Sequence, residues 1–108
     1  MNIQTHAEIC SVLCEFFGKT KPAEETIFTI RQPIRNSDAI LDFRFLNHLG
    51  IEADYYVGSG KGHARIAHLA MKSVWFAGFD ECDLLILGQN TNGIPMTVTI
   101  KKDYSMEL

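Results

Sequence analysis

Gly58, Gly60 and Gly62 stand at alternate positions, with Lys61 between the last two and His63 immediately after, and this stretch has the clearest capacity for chemistry in the chain. Glycines allow positive φ and let a backbone approach a ligand closely. The preceding residues, Glu52 to Val57, read as a short strand, and those from about His63 onward read as a helix. A loop feeding a helix in this way presents unpaired N–H groups that can hold a phosphate. On that reading the binding residues are Gly60, Lys61, Gly62, His63 and Ala64, with Lys61 adding positive charge and Arg65 following. The spacing is not that of a P-loop, and His63 occupies the place of the third glycine of a dinucleotide fingerprint. The alternative is a plain connection between two elements.

Three other constellations have chemical potential. His6, Cys10 and Cys14 recur every fourth residue and share one flank of a helix, a donor set acceptable to zinc. Closing such a site would need a fourth ligand from Cys82, His63 or His48, and no CxxC pair supports it, so the cysteines read better as small apolar residues beside Ile9 and Leu13. No metal is expected. Asp83 followed by Thr99-x-Lys101 is similar to the acid-and-lysine arrangement of metal-dependent nuclease cores, but a threonine stands where a second carboxylate belongs. Arg65, His68 and Lys72 form a basic stripe on the expected helix, while Leu69 and Phe76 lie near its polar flank and suit a contact between copies. No spacing identifies a nucleophile with its base, so no catalytic residue is assigned and the enzyme question stays open.

These residues must be positioned by local elements. Thr5 and Glu8 form a capping-box pattern, Ile9, Val12, Leu13, Phe16 and Phe17 recur at helical spacing, and Gly18 supplies a left-handed stop. Thr26 to Arg31 is β-branched and aromatic, and is expected as a strand. Asp38 to Leu49 mixes signals: Leu41, Phe43 and Phe45 alternate with polar residues, yet its length and Gly50 favour a helix, which is the expectation adopted. His63 to Ala77 is expected as a long helix, with Ile66, Ala67, Ala70, Met71 and Val74 on one side and Gly78 as its stop. Asp83 to Leu87 suits a buried strand and Met96 to Ile100 a half-buried one, with Asn92-Gly93 in a turn between them.

Two stretches resemble the GNAT acetyltransferase superfamily. Ser59-Gly60-Lys61-Gly62-His63-Ala64 looks like that family's acyl-CoA loop, and the similarity continues through Leu69, Ala70, Gly78-Phe79, Leu84 to Leu87 and Asn90. Ile30-Arg31-Gln32-Pro33 and Ser37-Asp38-Ala39 are similar to the family's first strand and helix. The resemblance implies acyl-CoA as cofactor, its pyrophosphate held by the loop amides. It also implies a shortened relative: Ser59 replaces the loop's leading Arg or Gln, strands before the loop are missing, and no tyrosine follows Asn90 at the family's distance. Glu52 and Asp54 are the acids on the strand ahead of the loop.

The totals frame these readings. A chain of 108 residues with 46% hydrophobic content suits one α+β domain, residues 1–108. The expected order is αβαβαββ, about four strands in a mixed sheet with helices packed on it. Its apolar runs fall short of the roughly 20 residues that cross a bilayer. A formal net charge of −3 with scattered basic residues points away from nucleic acid. Three cysteines without framework spacing, and no secretory signal, point to the cytoplasm. The expected function is binding of a phosphate-bearing ligand such as acyl-CoA at residues 58–64. The alternatives are a non-catalytic interaction module, either a homo-oligomer or an accessory factor, and a shortened GNAT-like N-acetyltransferase.

Overall fold

The computed structural model describes residues 3–19, 28–35, 38–46, 50–57 and 64–107. It begins with one helix, α1 (His6–Phe17), whose ends follow the local chemistry. The Thr5 hydroxyl accepts the Glu8 N–H at 3.2 Å, and the Glu8 carboxylate accepts the Thr5 N–H at 3.0 Å. The Thr5 N–H, and then the Thr5 hydroxyl, hold the Glu8 carboxyl below its ordinary pKa. At the other end Gly18 adopts φ 65°, and the Lys19 N–H returns to the Cys14 carbonyl at 2.9 Å. The face carrying Ile9, Cys10, Leu13, Cys14 and Phe17 is buried.

Everything after α1 among the described residues is a single antiparallel meander. Its strands are β1 (Phe28–Pro33), β2 (Ala39–Phe45), β3 (Ile51–Val57), β4 (Ala64–Asp80), β5 (Asp83–Asn90), β6 (Pro95–Ile100) and β7 (Met106–Glu107). They pair in chain order. This overturns the expected α+β order αβαβαββ with its four-stranded mixed sheet and several helices. Two segments account for the error. Within the expected helix over 38–49, Ala39–Phe45 is β2, where the alternation of Leu41, Phe43 and Phe45 inward with Asp42 and Arg44 outward is the decisive pattern, and residues 47–49 lie outside the described residues. Of the expected helix over 63–77, residues 64–77 are the first part of β4, a strand of 17 residues, and His63 lies outside the described residues.

The periodicity of β4 misleads for a structural reason. The register against β5 slips between Met71 and Ser73 and again between Val74 and Phe76, so Lys72 and Trp75 are extra residues in bulges. Each bulge inserts one residue between successive inward positions. The buried side chains are therefore Leu69, Met71, Val74 and Ala77, whose spacing drifts from two toward three and imitates a helix.

Bulges also raise local twist, and the sheet curls around α1. At one end the Arg35 N–H, just past β1, donates to the Asp103 carbonyl at 3.1 Å, and the Tyr55 hydroxyl donates to the Tyr104 carbonyl at 3.1 Å. The start of the meander thus reaches the turn between β6 and β7. Phe17 sits within this curl, its ring 5.3 Å from that of Phe43 and 5.7 Å from that of Tyr104. Leu41, Phe45, Ile51, Leu84, Ile86, Val98 and Ile100 complete the core beneath the helix, all fully buried. Each such side chain contributes about 1.5–3 kcal/mol by leaving water. No helix among the described residues is long and apolar enough to cross a membrane.

Candidate functional site

The second bulge of β4 organises a cleft. Trp75 is the extra residue there, and the segment ahead of α1 is tied to it: the Gln4 N–H donates to the Trp75 carbonyl at 2.9 Å, and the Gln4 Oε1 accepts the Ala77 N–H at 2.8 Å. Gly88 on β5 lies directly beneath, so close that a Cβ would overlap the Ser73 carbonyl oxygen. Only glycine lets the bulged backbone pass at that distance. Between the tied segment and the sheet lies a half-open cleft of about 620 Å³, lined by Ile3, Trp75, Leu87, Pro95, Met96 and Thr97 together with Gly88. That volume falls in the range of small-ligand sites. Its walls carry no charged side chain, and Ile3 at its rim remains 69% exposed.

A second cluster lies on β2, β3 and β4, on the face turned away from Leu41 and Phe43. The Asp54 carboxylate, almost fully buried, lies 2.5 Å from His68 Nδ1 and 3.2 Å from the Arg44 guanidinium. Arg44 also reaches Glu52 at 3.1 Å and Asp42 at 3.5 Å. Burial works against the Arg44 charge, but its bonds to Asp54 and Glu52 and the field of Asp42 prevail and raise its pKa. The cross-strand register explains the grouping, since Asp42 faces Asp54 and Asp54 faces His68. An imidazole oriented by a carboxylate is half of a general-base arrangement. The single Arg44 cation is shared among the Asp42, Glu52 and Asp54 carboxylates as an ion-pair network.

The residues singled out from sequence fare differently. Gly60, Lys61, Gly62 and His63 lie outside the described residues, as do Gly58 and Ser59; Ala64 opens β4. From Ala64 onward, where the chain was expected to continue as a helix, the structure is strand β4. His68 is held by Asp54, Lys72 is an exposed bulge residue, Leu69 is buried in the core, and the Phe76 ring lies over Gly78. Asp83 and Lys101 do meet, at 3.7 Å, and β7 brings Glu107 to 3.2 Å from the same ammonium. Lys101 is shared between the two carboxylates, and its bond to Glu107 raises its pKa.

His6 and Cys10 are neighbours, with Nδ1 and Sγ 3.7 Å apart, and the His6 ring stacks on Phe45 at 4.6 Å. His6 Nε2 is buried without a hydrogen-bond partner among the described residues. Among the described residues no group of three or more His, Cys, Asp or Glu side chains is placed to hold a metal ion.

Sequence reasoning missed the cleft because its lining comes from four separated segments joined only by tertiary pairing. The one available signal was Gly88 inside an apolar strand, which marks a bulge or close backbone approach. No protein-family model, curated protein or solved structure matches this chain.

Proposed function

We propose that this protein is a non-catalytic binding module that takes an apolar group of another molecule into the cleft beside Trp75. The observation that supports this reading is the cleft itself: an apolar, uncharged recess of about 620 Å³ kept open by a bulge and a glycine. Gly88 and Gln4 both act on the same bulge, one by making room and the other by satisfying its backbone. The phosphate-ligand reading took its N–H donors from the glycine loop and from a helix start after it, and from Ala64 onward the chain is strand β4 instead. Weight therefore passes from that reading to the interaction module.

The test uses the chain's single tryptophan, Trp75, as reporter. Titration with the neutral dye N-phenyl-1-naphthylamine is expected to give saturable one-to-one binding with energy transfer from Trp75. Ile3→Glu, at an exposed position that leaves the core untouched, is expected to weaken that binding at least tenfold. Acetyl-CoA is expected to give no competition. Absence of saturable binding, or an Ile3→Glu variant that binds as well as the parent, would remove the cleft from consideration.

A further inference from the structure

The outer edge of β6 identifies the kind of molecule that fits the cleft. The Asn90 N–H donates to the Ile94 carbonyl at 2.9 Å, so the even-numbered residues of this strand direct their N–H and C=O groups toward β5. The Lys101 N–H donates to the Ser105 carbonyl at 2.7 Å, which turns the odd-numbered residues toward β7. Among the described residues β7 pairs with Thr99 and Ile100 alone. The Thr97 N–H and C=O and the Pro95 C=O therefore face outward with no ladder partner among the described residues, and both residues line the cleft.

Resting on the cleft reading above, we propose that the occupant is a short, extended, uncharged segment of another protein, which pairs its backbone with β6 at Thr97 and places one bulky apolar side chain beside Trp75. Unpaired ladder groups at Thr97 match the backbone of an extended strand, a recognised mode of peptide capture. The absence of charge on the cleft walls calls for a neutral side chain, because a buried unpaired charge is costly. The segment must be short, since β7 occupies the edge from Thr99 onward. A second copy of this chain fits poorly: aligning two β6 strands antiparallel about Thr97 sets Pro95 of one copy against Thr99 of the other, whose edge β7 already covers. Pro95, which has no N–H to offer, further blunts the edge against self-pairing.

The experiment compares two probes on two proteins. The first probe is a blocked pentapeptide alternating serine with valine and leucine, with a backbone N-methylated analogue as control; the second is N-phenyl-1-naphthylamine. The variant is Thr97→Pro, which deletes an outward N–H while leaving every bond to β5 in place. The peptide is expected to bind the parent chain, and to lose at least tenfold in affinity on N-methylation or with Thr97→Pro. The N-methylated analogue alters only the probe, so its loss of affinity is read on a protein whose cleft, Thr97 included, is unchanged. If dye binds and peptide does not, or if peptide affinity ignores both changes, the strand proposal falls while the cleft reading stands. If neither probe binds, both fall. A concentration-dependent dimer of the parent chain that Thr97→Pro dissociates would overturn the choice of a foreign partner.

Discussion

Gln4 and Trp75 are joined by a backbone hydrogen bond of 2.9 Å, and the same glutamine accepts the Ala77 N–H at 2.8 Å, so one residue ahead of α1 closes the bulge that forms the cleft. Gln4→Ala leaves the Ala77 N–H buried without its acceptor. The expected loss is about 1–3 kcal/mol, read from urea unfolding. Dye affinity at the cleft should fall with it, because the segment carrying Ile3 loses one of its two bonds to β4 and keeps only the backbone bond to Trp75.

Gly88 and Gly93 make a matched pair for testing the bulge. At Gly88 an added methyl would overlap the Ser73 carbonyl and come within 2.8 Å of the Met71 methyl. Gly88→Ala should cost about 3 kcal/mol and alter Trp75 emission. Gly93 has φ 79° and nothing closer than 3.8 Å, so Gly93→Ala should cost only the backbone strain, about 1 kcal/mol, with emission unchanged. Thermal melts followed by fluorescence separate the two.

Asp54 and Asp42 both contact Arg44, but their burial differs, with side-chain exposures of 4% and 21%. Asp54→Asn removes the charge that faces both His68 and Arg44 in a nearly dry position. It should destabilise by about 2 kcal/mol, whereas Asp42→Asn should cost about 0.5 kcal/mol or less. Chemical denaturation of the two variants in parallel gives the ratio.

Tyr55 supplies an alkaline signature. Burial, and then the Asp103 charge, favour its neutral phenol and raise its pKa above the ordinary value of about 10. A group whose folded pKa is raised stabilises the fold fully below its unfolded pKa and loses that contribution as pH climbs through the folded value. Stability of the parent chain should thus decline above about pH 10 through this residue. Tyr55→Phe should flatten the decline while costing about 1 kcal/mol at neutral pH, because the Tyr104 carbonyl loses its donor. Melting temperature against pH for both proteins is the measurement.

His6 offers a case of the opposite sign. Its ring stacks on Phe45 while Nε2 is buried without a hydrogen bond among the described residues. His6→Phe keeps the shape and deletes the orphaned nitrogen, and should raise stability by about 1 kcal/mol in the same unfolding assay.

Helix α1 was legible from the residues alone, because Thr5 and Glu8 meet within one turn and Gly18 acts on the turn just before it. Such interactions span three or four positions and need no partner from elsewhere. The strands around Ile30, Ala53, Ile86 and Val98 were legible for a similar reason, since β-branched and apolar runs bounded by turn residues carry their own signal. The Asn90 to Ile94 connection was marked by Asn92-Gly93, and Gly93 takes the left-handed conformation there.

Sheet topology, the long β4 and the cleft were decided only by the tertiary structure. Strand pairing is an interaction between distant segments, and a bulge is defined by the partner strand's register, which no window of local sequence contains. Leu69, Met71, Val74 and Ala77 illustrate this: read alone, their spacing drifts toward that of a helix, and read against β5 they are the inward side of a twice-bulged strand. His68 and Asp54 lie 14 residues apart and meet only because β3 and β4 pair. Gly88 shows the division most simply, for its identity hints at a close approach, while the Ser73 carbonyl that requires it arrives from another strand.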